Sequence, residues 1–286
     1  MQTLTYTNDL GSIELSQSQP YLLQLVEGIS GLGVVTEVQA APFQDGNTYK
    51  SNNFVPRDIS INGVIIVDDS SLETKKRELA TIFNPKIEGT LKYSNGTIEK
   101  ECTVRLNAGV RFGSNNESKG YNYQRFQIQM TAHNPFWLDL EFSSQILALS
   151  IPAFEFPLIA EPTFEFETDG TNRATITNDG DVATPVEITF TGPANNPKII
   201  NETTGEFIKV TKNLGTDEYL KITTGFGNNR VFFNDGSGEV NALGLIDLDS
   251  TFWKLQTGDN VVSYSVDSGV STATMLIRWK ERFISL

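Results

Sequence analysis

Over most of its 286 residues the chain alternates apolar and polar positions with a period of two, and turn-forming residues fall between the alternating runs. Arg125 to Thr131 is the clearest run, with Phe126, Ile128 and Met130 on one face. The same pattern returns in Val186–Phe190, Phe207–Val210, Tyr219–Ile222 and Thr274–Trp279. Between these runs lie Asn178-Asp179-Gly180, Thr204-Gly205, Asp235-Gly236 and Thr257-Gly258-Asp259. Leu91-Lys92-Tyr93, then Ser94-Asn95-Gly96, then Thr97 to Lys100 predicts a hairpin, because Asn-Gly accepts the positive φ of a tight turn. Many short strands joined by Gly and Asp turns predict a mainly β protein of sandwich or barrel type.

A single helix is expected, over about residues 71–83. Ser70 precedes Glu73 by the spacing of a capping box, Leu72, Leu79, Ile82 and Phe83 share one face, and Asn84-Pro85 ends the run. Lys75, Lys76 and Arg77 fall on the outward side, where they read as a solvated face and not as a nucleic-acid patch. Two polar stretches read as long loops or arms, Gly113 to Asn122 and Gln44 to Asn53. The second runs Gln44, Asp45, Gly46, Asn47, Thr48, Tyr49, Lys50, Ser51, Asn52, Asn53, with only Tyr49 able to bury much apolar area. Connections in compact domains have a median of about 4–6 residues, so a polar stretch of this length needs a reason. Pro152, Pro157 and Pro162 break regular pairing, which places a domain boundary between about Glu141 and Glu161. The expected domains are 1–145 and 146–286, each of ordinary size for one core.

Composition supports packed cores, since 18 Phe, 8 Tyr and 3 Trp offset a modest aliphatic content. The formal net charge of −13 is uneven, with 12 basic against 16 acidic residues up to Gln145 and 10 against 19 beyond it. Such a surface repels phosphate backbones, which excludes DNA reading or packaging but suits a passage through which DNA slides. Cys102 is the sole cysteine, so no intrachain disulfide or multi-cysteine zinc site is available. Met1 to Tyr6 lacks the basic start and apolar run of a secretory signal. Ile146 to Ala160 is too short and too broken by Ser150, Pro152, Glu155 and Pro157 to span a bilayer, so no membrane insertion is expected.

Candidate chemistry is sparse. His133, the only histidine, stands beside Pro135, Phe136 and Trp137, a setting that suggests a packed strand end and not a catalytic cleft. Glu165, Glu167 and Asp169 share one strand face, as carboxylates of sandwich-fold glycosidases do. Alternate strand residues stand about 6–7 Å apart, however, against about 5–5.5 Å for retaining chemistry. Asn178-Asp179-Gly180-Asp181 lacks the ligand series of a calcium loop, and a turn explains it. Trp253 and Trp279 lie in strand-like surroundings and read as core before sugar platforms. No glycine-rich phosphate loop is present. The reading predicts no catalytic residue, no metal site and no cofactor.

From Asp45 to Leu138 the order of features resembles the N-terminal domain of siphophage distal tail proteins. A loop with Asp45-Gly46 and Tyr49 leads to Arg57-Asp58-Ile59-Ser60-Ile61, then comes the helix, then a long strand closing on Asn134-Pro135-Phe136-Trp137. The second half is similar to that family's C-terminal domain through Asn178, Gly180 and Asp181 before Pro185-Val186, through Asn196-Pro197 and Asn201, and through Gly258-Asp259-Asn260. The resemblance implies a tail-tube-related β domain, of sandwich or split-barrel type, followed by a galectin-like sandwich. It also implies a homo-oligomeric, hexameric ring beneath the tail tube, assembled in the host cytoplasm and located at the virion tail tip. Its partners would be the tail tube protein and tail fibres, lysins or receptor-binding proteins, with DNA as passing cargo. Similar proteins extend an arm from this domain around a neighbour, which makes Gln44 to Asn53 the candidate arm. The rival readings are a carbohydrate-binding module and a sandwich-fold glycosidase using Glu165 and Glu167.

Overall fold

The structure, a computed structural model, describes residues 2–68, 70–148, 172–267 and 273–286. The chain forms two compact units, Met1–Leu140 with Arg282–Leu286, and Glu141–Glu281. The division falls after Leu140, ahead of the expected domain end at residue 145, and residues 282–286 group with the first unit and not with the second. Most of the proline-broken boundary, together with Glu165, Glu167 and Asp169, lies outside the described residues.

In chain order the strands of the first unit are β1 (Thr3–Asn8), β2 (Gly11–Leu15), β3 (Tyr21–Glu27), β4 (Val34–Gln39), β5 (Thr48–Phe54) and β6 (Arg57–Ile66). After the helix α1 (Leu72–Ile82) come β7 (Gly89–Ser94), β8 (Glu99–Leu106), β9 (Arg111–Phe112), β10 (Tyr123–Ala132) and β11 (Trp137–Leu138). The second unit opens with β12 (Ser143–Ala148), β13 (Arg173–Asn178), β14 (Val186–Thr191), β15 (Ala194–Asn195), β16 (Lys198–Asn201) and β17 (Glu206–Lys209). It continues through β18 (Asn213–Leu214), β19 (Tyr219–Gly225), β20 (Asn228–Asn234), β21 (Glu239–Asn241), β22 (Gly258–Ser265) and β23 (Thr274–Trp279). The last strand, β24 (Arg282–Phe283), pairs with β11 in the first unit.

The first unit is built on an antiparallel sheet in the order β2-β1-β7-β8-β10-β6-β3. Alternation dictates its core: Phe126, Ile128 and Met130 of β10 are buried with Ile59, Ile61 and Ile65 of β6, while Asp58, Arg125 and Gln127 point away. The helix packs its predicted face, since Leu79 and Ile82 are buried and Phe83 stacks on Tyr6 at 4.4 Å between ring centroids. Burial pushes the Tyr6 phenol above its ordinary range. The capping box is off by one residue. Ser71, not Ser70, is the N-cap, so Glu73 falls one position early and pairs with Lys76 at 2.8 Å instead. Lys75 and Lys76 are half-buried over the rings of Tyr21 and Phe112, so only Arg77 of the three basic residues behaves as predicted. Gly113–Asn122 forms a loop pinned from β10: Gln124 Nε2 donates to the carbonyls of Gly113, Ser118 and Arg125 at 2.8–3.1 Å.

The second unit is a sandwich of two antiparallel sheets, β12-β23-β14-β19-β20-β21 and β13-β22-β16-β17. Phe190, Leu220, Ile222, Met275 and Ile277 of the larger sheet share a core with Ile176, Ile199, Ile208, Val262 and Tyr264 of the smaller. The chain is therefore mainly β, with α1 its one α-helix among the described residues. Among the described residues no helix is long and apolar enough to cross a membrane.

Candidate assembly site

The polar stretch Gln44–Asn53 turns out to be half of a β-hairpin. Among the described residues strands β4 and β5 pair only with each other, as a two-stranded sheet apart from the main one. Residues 48–53, expected to be irregular, belong to a strand, and its partner Val34–Gln39 escaped the sequence reading. The connecting turn is organised by Gln44, whose Oε1 accepts from the Ala41 amide at 3.0 Å and whose Nε2 donates to Thr48 Oγ1 at 3.0 Å. Phe43 at the tip takes φ +65° and is fully exposed, and Gly46 takes φ +78°.

Cross-strand partners share a face of the hairpin. The register pairs Val34 with Phe54, Thr36 with Asn52 and Val38 with Tyr49 on one face. The other face pairs Val35 with Asn53, Glu37 with Ser51 and Gln39 with Thr48. A bulge at Lys50 adds one residue to β5 and keeps Tyr49 beside Val38. One face thus carries an apolar stripe, Val34, Val38, Tyr49 and Phe54, and every member is exposed. The opposite face is largely polar, with Ser51 Oγ donating to Glu37 at 3.2 Å.

The hairpin stands on a buried base. Gly28, on its incoming leg, has φ +85° and its Cβ position would lie 1.9 Å from the Asp58 carbonyl, so only glycine fits. Arg57, at the head of the outgoing leg, is buried, and its guanidinium donates to three carbonyls: Gly28 at 2.7 Å, Pro135 at 2.7 Å and Ile284 at 2.8 Å. Its Cζ lies 5.6 Å from the centre of the buried Trp137 ring, and Trp137 Nε1 donates to Ile29 at 2.9 Å. Desolvation lowers the Arg57 pKa from its ordinary value, with the carbonyls and the ring face holding the charge. Phe136 meets Phe54 edge-on at 5.6 Å and lies under the Arg282 guanidinium at 5.2 Å. The structure therefore gathers Arg57, Pro135, Phe136 and Trp137 at one place. Sequence reasoning could single them out but could not see that they form the foot of the hairpin.

The other singled-out positions sit in the second unit and build turns. Buried Asn178 accepts from the Gly180 amide and donates to the carbonyls of Val182 and Leu255. Gly258 takes φ +86°, and buried Asn260 donates to the carbonyls of Gln256 and Gly258 and accepts from the Gln256 amide. Asp181 is exposed beside this cluster. Trp253 and Trp279 are buried in the core and offer no platform for a sugar. His133 was expected to pack, yet it is exposed just past β10, because the alternation that buries Ala132 turns the next residue outward. Cys102 is buried, and desolvation pushes its thiol up to about 12. Among the described residues no group of three or more His, Cys, Asp or Glu could hold a metal ion.

Two family models match the chain in tandem. A phage tail protein RIFT-related domain matches residues 8–132, and the C-terminal domain of siphovirus-type tail components matches residues 179–283. The fold is similar to that of the Dit protein of phage SPP1, described as a hub adsorption apparatus of phages infecting Gram-positive bacteria. The TM-score is 0.66 at 11% identity, over 97% of this chain and 98% of that one. Chains of the phage P2 baseplate in its activated conformation, with calcium and with strontium, are similar at a TM-score of 0.57 and 11% identity, over 100% of both chains. At that identity the likeness is one of fold. No curated protein matches in sequence. With both domain families in order along it, and with its fold shared over nearly its whole length, the chain belongs to the siphophage distal tail protein family.

Proposed function

We propose that this chain is a structural, non-enzymatic tail hub whose copies close into a ring, six to a ring, through the β4–β5 hairpin. The observation that carries the reading is the exposed apolar stripe on a hairpin that pairs with no other strand among the described residues. An isolated two-stranded hairpin is marginally stable in water, and a row of exposed apolar side chains marks a binding surface. Both conditions are met if a neighbouring copy covers the stripe. The ring would join the tail tube to the host-adhesion apparatus at the virion tail tip, with fibres, lysins or receptor-binding proteins as further partners and assembly in the host cytoplasm. Excess negative charge, −13 overall, would let DNA pass through without binding. The galectin-like second domain would act as a scaffold for those partners. Negative-stain imaging and sedimentation velocity of the purified chain test this: rings of one defined mass are expected, and a monomer at tens of micromolar would refute it.

A further inference from the structure

Three residues at the foot of the hairpin each reach two places at once: a leg of the hairpin and the segment 282–286. Arg57, itself at the head of the outgoing leg, donates to Gly28 on the incoming leg and to Ile284. Phe136 lies between Phe54, the last residue of β5, and Arg282. Trp137 donates to Ile29 through its indole and pairs with Phe283 through its backbone. Residues 282–286 are further held by Phe283, whose ring lies 3.6 Å below Lys100 Nζ, while Lys100 pairs with Asp139 at 2.5 Å. The chain reaches this segment only after the whole second unit, 227 residues beyond Arg57.

We infer that Arg57, Phe136 and Trp137 form a joint that holds the hairpin in its posture only while residues 282–286 are docked. The physical basis is the buried guanidinium. Among the described residues its hydrogen-bond partners are the three carbonyls, so loss of the Ile284 acceptor leaves a buried charge short of a partner. Desolvation already weighs against that charge. The guanidinium must then turn toward water, which releases Gly28, and undocked Arg282 at the same time leaves Phe136 free to shift from Phe54. Arg57 acts here as a positioning residue for the hairpin. A chain that has not completed its second unit would carry a loose hairpin and would be held back from assembly. This last consequence rests on the ring reading, while the joint itself does not.

Hydrogen exchange on the full-length chain separates the two. Phe283→Asp should undock residues 282–286 and speed amide exchange at Val55, whose N–H donates to Gly33 at 3.0 Å, and along the β4–β5 pairing by roughly 10- to 100-fold, the factor from losing one hydrogen bond to a charged group. Arg57→Met should speed the same amides to a similar extent, with Arg57→Lys intermediate. In a shared joint the double variant Arg57→Met with Phe283→Asp exchanges no faster at these amides than the faster single. The amides of β7 paired with β8 serve as the control and should keep their wild-type rates. Unchanged exchange at the hairpin legs in Phe283→Asp would overturn the joint, as would multiplying effects in the double variant. Equal loosening of β7 and β8 would also overturn it, because these residues would then only support the fold. If the legs loosen as expected but wild-type chains form no ring, the joint stands and the ring reading falls.

Discussion

Replacing the hairpin stripe with serine, as Val34→Ser, Val38→Ser, Tyr49→Ser and Phe54→Ser together, should dissolve the ring and leave both cores folded. The four side chains are 45%, 50%, 59% and 43% exposed in the lone chain, so about half of each remains to be buried by a neighbour. Full burial of a side chain of this size contributes about 1.5–3 kcal/mol, which leaves about 0.8–1.5 kcal/mol per residue and about 3–6 kcal/mol per subunit contact. That energy corresponds to roughly two to four powers of ten in the dissociation constant. The stripe lies outside the buried clusters of either unit, so the unfolding midpoint of the cores should move little. Sedimentation velocity over a dilution series reads the first quantity and thermal unfolding the second. Alanine at Glu37, Ser51 and Asn53, on the opposite face, is the matched control and should leave rings intact. Rings of unchanged mass that dissociate at the same dilution would refute the reasoning. Loss of several kcal/mol of core stability would do so as well, by showing that the stripe belongs to the fold.

Asn260→Leu removes four hydrogen bonds, three within a buried turn and one from Asn201 at 3.5 Å, and should cost the second unit about 3 kcal/mol. Calorimetry should place its midpoint roughly 10 °C lower, and a loss below about 1 kcal/mol would contradict the structural role given to this asparagine. The Cys102 thiol keeps its proton in the folded chain up to about 12, against an ordinary value of 9.0. Unfolded chains release that proton first, so this group's contribution to stability is fully present below pH 9 and is lost as pH rises through the window from 9 toward 12. Denaturant titrations of wild type and Cys102→Ala across that window should converge with rising pH, and a parallel pair of curves would oppose the assignment. His133→Ala should change stability by no more than about 0.5 kcal/mol, as for other exposed positions, and a larger loss in urea titration would mean that the imidazole packs.

The fold was legible wherever one face of an element is buried. In β10 and in α1 the apolar period and the structure coincide, because burial selects Phe126, Ile128, Met130, Leu79 and Ile82 in the same way that periodicity displays them. The hairpin was legible only as a polar surplus. Both of its faces are exposed, so no burial period marks β5, and the bulge at Lys50 breaks what alternation remains. Its partner strand Val34–Gln39 shows that β-branched residues without alternation pass unnoticed. Arg57 and the Pro135-Phe136-Trp137 run were visible as a family pattern, yet their joint depends on Ile284, and no local signal announces a contact across that separation. The one-residue slip of the helix cap comes from the same limit, since Ser70 and Ser71 are equivalent until packing fixes the first turn.

The solitary ribbon of β4 and β5 has a consequence for the chain before it finds its place. Neither of its outer edges is paired with another strand among the described residues, and such edges are templates for indiscriminate strand pairing. The ribbon is short, is twisted by its bulge, and carries Glu37, Asp45 and Lys50 along or near those edges. Each of these features discourages stacking of ribbon on ribbon into disordered aggregates. The same few residues must therefore satisfy two demands, refusing casual partners while remaining able to accept the intended one. That conflict explains why the apolar side chains, Val35 apart, lie on a single face and are interrupted there by Thr36 and Asn52.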